Sequence, residues 1–467
     1  MTENPREVSM NLDMTKGSPL KLILKFLFPV LLGNLFQQFY NMADTIIVGR
    51  FVGPQALAAV GATGTISFFI LGFMMGITTG FTVLTAQRFG AGDYEGVRKS
   101  VGNAFVLSAV VTVIMTVLSV AGMDWILEIM QTPDDIFEMS KSYITIICGG
   151  LVFTILYNLA ASVLRAVGNS RVPLYFLILS ATLNIILDLV FIIVFHWGVA
   201  GAAAATVISQ GVSGFLCLIY LLTKIDFLKL KKEHFALDRN GAMNQIRIGV
   251  PMALQFSITA IGTMMVQAAL NMLGSTIVAA YTAACKVEQL VTTAFQAMGA
   301  TMATYSAQNW GVHSVDRLRR GSKTAVAISC IYSIVIYGVV NLILPYATAL
   351  FFDGDITEVI GYVRTYIMIC GIFFIPLGLI FIYRNLLQGC GYTLIPTLGG
   401  VVELVSRGIF AFLAAQAHSY TGVCIANASA WCTAGIYLWI AYLFIMRGII
   451  RKDEEKKELH QRVNEMI

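Results

Sequence analysis

Leu164-Arg-Ala-Val-Gly168-Asn-Ser-Arg-Val-Pro173 and Leu387-Gln-Gly-Cys-Gly391-Tyr-Thr-Leu-Ile-Pro396 carry leucine, glycine and proline at one spacing, 223 residues apart. Nearly the same interval separates Pro29 from Pro251, Ala86-Gln87-x-x-Gly90 from Ala307-Gln308-x-x-Gly311, and Arg98-Lys99 from Arg319-Arg320. The chain is therefore one pattern written twice. Its acids are not: the register that holds Asp44 and Asp188 in the first copy reaches Val266 and Ala411 in the second. A duplicated protein with carboxylates at these places in one copy alone has divided labour between its halves.

Composition assigns the medium in which each copy folds. With 57% hydrophobic residues, 12% charged and a mean hydropathy of +0.77, the chain belongs in a bilayer. Apolar runs of about 20 residues cross a hydrocarbon core of about 30 Å. Twelve such runs are read, near 22–48, 54–82, 99–121, 140–164, 172–195, 199–222, 243–272, 278–304, 323–348, 361–386, 394–416 and 421–446. The predicted fold is an all-α integral membrane protein of twelve transmembrane helices in two pseudo-symmetric six-helix bundles. The lobes are expected at 1–222 and 243–446, joined by a cytoplasmic linker at 223–242 and followed by a cytoplasmic tail at 447–467. Six spans per copy give both copies the same orientation, as for parallel repeats.

Loop charge sets the direction. Lys16, Lys21, Lys25, Arg88, Arg98, Lys99, Arg165, Arg171, Lys224 to Arg247 and Arg317 to Lys323 lie on one side. Asp124, Glu128, Asp134 and Asp135, then Asp353, Asp355 and Glu358, lie on the other. Excess Lys and Arg marks the cytoplasmic side, so both termini are expected inside a plasma membrane. The net charge of +5 is accounted for by this bias and needs no nucleic-acid partner. The first 20 residues show no signal-peptide pattern. Eight cysteines without a CxxC pair read as apolar packing residues, and five histidines in loops or tails make no metal site. The linker mixes Lys229, Lys231 and Lys232 with Phe227, Leu228, Leu230 and Phe235, which fits an amphipathic piece on an anionic leaflet or a plain tether.

Polar residues within spans carry the chemistry. A carboxylate near the bilayer centre costs about 2.5–3.5 kcal/mol on insertion scales, so an acid placed there is a functional candidate. Asn184 and Asp188 share one face of the fifth span, one helical turn apart. The sixth span opens Gly198-Val-Ala-Gly-Ala-Ala-Ala-Ala-Thr206, whose small residues let helices approach closely and bring in the Thr206 hydroxyl. Asp44 lies roughly 10 Å outward of its span's midpoint at 1.5 Å per residue, a depth that agrees with Asp188 and Thr206 to about a turn. Oxygen-bearing groups at one level suit Na⁺ or a shared proton; satisfying a helix neighbour is the alternative for each. Asn34, Gln37, Asn41 and Asp44 form a polar stripe that must look into a cavity or another helix. Pro29, inward of that stripe, removes a helix hydrogen bond. Gly72, Gly76 and Gly80 read as a packing stripe.

On Gln37-x-x-Tyr40-x-x-x-Asp44, Leu183-Asn184-Ile-Ile-Leu187-Asp188 and Gly198-Val-Ala-Gly201-Ala-Ala-Ala-Ala-Thr206, the chain resembles the multidrug and toxic compound extrusion (MATE) family over essentially its whole length. The resemblance implies a twelve-helix exporter that expels organic cations and amphipathic drugs in exchange for Na⁺ or H⁺. It implies a cation site, for Na⁺ or H⁺, at Asp44, Asn184, Asp188 and Thr206, with Gln37 and Tyr40 lining the cavity. Asn41, Asn158, Met264 and Met298 join them as cavity candidates, and Met265, Met302, Phe295 and Tyr305 are further ones; methionine adapts to many ligands but is as often plain packing. The chain departs from another branch of the family whose essential acids lie in the second lobe. Here Glu288 has Lys286 beside it and Glu403 has Arg407 four residues on, so both read as neutralised pairs, with a coupling role in the second lobe as the alternative for each.

No H-E-x-x-H, G-x-S-x-G or Walker A motif is present, so neither an enzyme nor a self-contained ATPase is expected, and no cofactor. The expected protein is a monomer in the lipid bilayer whose partners are small cationic drugs or metabolites. A flippase for a lipid-linked precursor or oligosaccharide is the second reading. It would favour a basic cavity for an anionic head group, where the first lobe offers carboxylates.

Overall fold

The structure, a computed structural model, describes residues 11–349 and 357–466. Asp353 and Asp355 of the expected acidic loop lie outside these residues, as does the side chain of Glu358. Within the described residues the chain is helical without strands. Nine helices are each long and apolar enough to cross a membrane. They are Pro19–Phe51, Gly64–Gly90, Tyr94–Ala121, Arg171–Val194, Gly198–Lys224, Arg239–Asn271, Val315–Ala349, Leu394–Gln416 and Tyr420–Arg451. Two bent pairs add a fourth and a tenth span: Asp134–Gly149 with Leu151–Ala166, bent by 47°, and Val359–Ile372 with Phe374–Gly389, bent by 51°. The eighth span, Ser275–Gly311, is a 37-residue helix whose Lys286, Glu288 and threonines keep it below the apolarity of the rest. Among the described residues these make twelve spans.

The repeat is written in the turns. After the fourth span the Gly168 amide donates to Arg165 O and the Asn169 amide to Leu164 O. After the tenth, the Gly391 amide donates to Gln388 O and the Tyr392 amide to Leu387 O. Both are Schellman caps, which need a left-handed residue just past the helix. Gly168 and Gly391 supply it at φ 83° and 88°. The requirement is steric as well, because a side chain on Gly168 would stand 2.1 Å from Leu12 O. Proline follows within the first turn of the next helix, where its missing amide costs nothing. Left-handed residues recur at Gly53 and Gly274, Gly92 and His313, and His196 and His418.

The first compact unit comprises Met1–Asp13 and Lys25–Ala260. It does not stop at the 223–242 linker but takes in the first two-thirds of the seventh span. The glycine stripe is the reason. A side chain on Gly76 would meet Ala253 Cα at 2.6 Å, and one on Gly80 would meet Gly249 Cα at 2.4 Å. The second span thus seats the seventh backbone to backbone, and van der Waals contact of this kind is what holds helices together in lipid. Gln245 adds two side-chain donations, to Phe81 O at 2.9 Å and Ser100 O at 2.8 Å.

The linker is not a surface helix. It forms two short 3₁₀ turns, Asp226–Leu228 and Lys232–Phe235. Ile225 and Leu228 are buried against Val97, Val101 and Leu221, so the apolar side faces the unit. Arg98 donates to Phe227 O at 3.1 Å, and the Asp238 amide to Asn103 Oδ1 at 3.2 Å. These bonds pin the segment to the third span. Phe235 and Leu237 remain exposed.

The second unit comprises Met14–Leu24 and Ile261–Ile467. Phe295, Tyr305, Tyr366 and Phe374 are its largest fully buried side chains. Gln308, from the repeated Ala-Gln turn, accepts the Met14 amide at 2.9 Å, while Asn309 and Arg317 donate to Met14 O at 3.1 and 2.8 Å.

The glycine seat gives a paired prediction. Gly80→Val is expected to abolish recovery of monodisperse protein, since overpacking costs about 1–3 kcal/mol even where atoms can shift and here the obstacle is backbone. Gly61→Ala, with nothing within 4 Å of the added carbon, is expected to leave yield and melting temperature unchanged. Size-exclusion chromatography of detergent extracts reads both.

Candidate functional site

Four spans of the first unit converge on one polar cluster. Asp44, near the outward end of the first span, is 9% exposed, and Asn184 and Asp188 of the fifth are inaccessible. The carboxyl groups of Asp44 and Asp188 are in hydrogen-bonding contact. Asn184 donates from Nδ2 to Thr206 Oγ1 at 3.3 Å. The Tyr40 hydroxyl is hydrogen-bonded to the side chains of Thr206 and Gln210. Tyr143 of the fourth span stands within electrostatic reach of both aspartates. Asp44, Asn184, Asp188 and Thr206 are thus brought together, as is Tyr40.

Local structure explains how the fifth and sixth spans deliver their groups. The α-helix Arg171–Leu189 passes into a π-helical turn, Val190–Val194, with Leu189 alone between it and Asp188. The fifth span accordingly has 24 residues where its repeat, Leu394–Gln416, has 23. One residue has been added beside the aspartate, and such turns recur at functional sites. Phe191, Phe195 and Trp197 then stack together, with Phe191 and Trp197 at a centroid distance of 4.9 Å. Gly201 fits beneath them; a side chain there would meet Phe191 Cβ at 3.1 Å and Trp197 Cβ at 3.2 Å. This corner sets Thr206 opposite Asn184. The sixth span closes on the fourth through Gly150 against Val207 and Gly214 against Tyr157.

The electrostatics follow from contact and burial. Two unit charges about 4 Å apart at an effective dielectric of about 20 repel by about 4 kcal/mol. Two bare carboxylates in contact therefore demand a proton or a cation. The donor set fits a monovalent ion: carboxylate, amide and hydroxyl oxygens are the ligands hard cations take. Asp44 Oδ1 is buried and, among the described residues, accepts no hydrogen bond, which leaves a lone pair for such an ion.

The cavity candidates fare differently. Gln37 and Asn158 are half-buried, and Asn158 Nδ2 donates to Thr154 O of its own helix at 2.8 Å. Asn41 is exposed and its carbonyl accepts from Thr45. Met264 is exposed. Met298 is buried in the second unit, as are Met302, Phe295 and Tyr305, so in this structure the four side chains are packing. Phe295 sits edge-on to Tyr332, and Tyr305 donates to Arg317 O at 2.9 Å. Gln210 and Tyr143 were not legible as site residues. Gln210 had a signal, one turn beyond Thr206; Tyr143 had none.

Of Glu288 and Glu403 in the second lobe, the first is paired otherwise than expected. Glu288 accepts from the Tyr366 hydroxyl instead of meeting Lys286, because Lys286 points out to the exposed side of the helix. Glu403 binds Arg407 at 2.7 Å, as its spacing predicts, and also Arg384 at 3.0 Å.

Comparison with known proteins agrees with the repeat. The MatE family profile matches residues 29–190 and again residues 251–413. The probable multidrug resistance protein YpnP of Bacillus subtilis is 29% identical over 317 residues, 66% of this chain and 68% of that one. An FAD transporter of Shewanella oneidensis is 22% identical over 376 residues, 79% of this chain and 82% of that one. The fold matches a solved multidrug resistance MATE transporter in its outward-facing conformation with a TM-score of 0.87, at 22% identity, covering 94% of this chain and 99% of that one. With the family pattern matched across both halves, the chain belongs to the MATE family, whose members are multi-pass membrane transporters and not enzymes.

Proposed function

We propose that this transporter is a secondary antiporter that exports organic cations and amphipathic drugs in exchange for Na⁺ or H⁺, with the ion taken by Asp44, Asn184, Asp188 and Thr206. One observation carries the reading: the two aspartates touch inside a lipid-embedded lobe. A pair that must take up a cation or a proton in one state and give it up in another couples ion flow to a conformational change. Thr206, Tyr40 and Gln210 tie the sixth span to the first, so ion binding acts on three helices at once. The multidrug names of the relatives support drug export, and the basic loops support a plasma-membrane protein with both termini cytoplasmic. The flippase reading gains nothing from them, and the acids of the first lobe disfavour an anionic head group.

Asp188→Asn is expected to abolish ion-driven efflux of a fluorescent cation from inverted vesicles while leaving the protein folded and inserted, and Asp44→Asn to do the same. Full efflux by a well-expressed Asp188→Asn variant removes the coupling role. Imposing Na⁺ and pH gradients separately identifies the ion.

Ion and cargo are also expected to compete. Binding of a dye cation to purified protein should weaken roughly tenfold, about 1.4 kcal/mol, as Na⁺ rises or pH falls through the working range. Dye binding indifferent to both, with tight binding of an anionic lipid-linked head group, sinks the antiporter in favour of the flippase.

A further inference from the structure

The register of the repeat allows the first-lobe site to be located in the second. Up to the added π-turn residue the two copies run 223 residues apart over this region, as Gly168 and Gly391 show. Asn184 therefore answers to Arg407, and Tyr143 to Tyr366. Tyr40 of the first span answers to Gly262 of the seventh, by the interval that relates Pro29 to Pro251.

What stands there is a buried polar cluster. Arg407, 4% exposed, donates from Nη2 to Glu403 Oε1 at 2.7 Å and from Nε to Asn427 Oδ1 at 3.1 Å. Asn427 Nδ2 donates to the Tyr281 hydroxyl at 2.9 Å and reaches the Tyr366 hydroxyl at 3.4 Å, and Tyr366 donates to Glu288. Arg384 takes the other oxygen of Glu403 at 3.0 Å. The two glutamates balance the two arginines. Space for the guanidinium comes from the seventh span, since a side chain on Gly262 would meet Arg407 Nη1 at 2.8 Å. The small-for-large exchange at Gly262 and the large-for-small exchange at Arg407 compensate each other across one contact.

We propose that the second lobe keeps the counterpart of the first lobe's cation site, with the Arg407 guanidinium as its covalently attached cation. The comparison rests on reading the first-lobe cluster as a cation site. A tethered cation cannot leave, so this lobe takes no part in ion exchange. Its eighth, tenth, eleventh and twelfth spans stay bonded through Glu288, Tyr366, Arg407 and Asn427 while the first lobe loads and unloads. Removing the arginine side chain leaves the cluster one positive charge short and opens a cavity shaped for a planar monocation.

The test is chemical rescue by free guanidinium ion on the full-length protein. Arg407→Ala is expected to melt well below the unsubstituted protein, and millimolar guanidinium chloride to raise its melting temperature by roughly 5 °C, where equal NaCl or urea does not. The unsubstituted protein and the Arg407→Ala/Glu403→Gln double variant, which lacks the anion that would hold the ion, should show no rise. If Arg407→Ala yields no folded protein, the same rescue is read as recovery of monodisperse protein when membranes are solubilised with guanidinium present. Absence of rescue by either readout, or equal response of single and double variants, overturns the proposal. Neither result depends on whether Na⁺ or pH affects dye binding in the unsubstituted protein, so failure of the first-lobe reading shows separately.

Discussion

Asp44 and Asp188 touch where water is scarce, and that contact constrains everything around it. Repulsion of about 4 kcal/mol between two such charges is a large part of the roughly 5–15 kcal/mol that stabilises a folded domain. The pair is tolerated only with positive charge or a proton close by. Its neighbours are built to that end: neutral oxygen and amide groups from Thr206, Asn184, Tyr40 and Gln210 surround it. The groups that contact one another in the cluster are carboxyl, amide, hydroxyl and phenol, while Lys141 of the fourth span is engaged by Asp124. A fixed arginine at this point would satisfy the pair permanently and end its usefulness as a switch.

The second lobe shows what that alternative looks like on the same frame. Its turns repeat the Schellman caps of the first, its tenth span breaks where the fourth does, and Tyr366 stands at the register of Tyr143. The charge, however, is settled internally: Glu403 is held between Arg384 and Arg407. Breaking a buried pair by deleting one partner costs about 3–5 kcal/mol, so this arrangement is as permanent as the helices that carry it. One backbone plan thus hosts a labile and a fixed solution to the same problem of charge in lipid.

Much of this was legible in the chain before any coordinates. The Leu…Gly…Pro stretches carry their own turn geometry, because only a residue tolerant of positive φ closes a Schellman cap ahead of a proline. Asp44, Asp188 and Thr206 could be grouped by depth, since helix rise converts residue number into height, and Asn184 joined them as the residue one turn from Asp188 on the same face. What depth cannot supply is azimuth. Met298 and Met302 sat at a plausible height and face the packing; Tyr143 followed Ser140-Lys141-Ser142 near the end of its span and faces the aspartates. The partner of Glu288 was missed for the same reason, as proximity in sequence favoured Lys286 while Tyr366 arrives from another span. The unit boundary inside the seventh span depends on the fit of Gly76 and Gly80 to Ala253 and Gly249, a property of two backbones that neither stretch states by itself.

The π-turn after Asp188 stands beside the labile charge. A transporter needs its ion site to differ between states, and a ligand shifts an equilibrium only by its unequal affinity for them. A helix in regular α geometry offers few small-amplitude alternatives. A span carrying one extra residue holds a turn whose hydrogen bonds are already displaced from the α pattern, and it holds it next to the carboxylate that must change partners. The second lobe, with its cation tethered, has neither the extra residue nor the π-turn in the equivalent helix. The irregular backbone and the labile charge therefore occur together, and the regular backbone goes with the fixed charge. That correlation, within one chain, ties the added residue to the site and not to the general needs of helix packing.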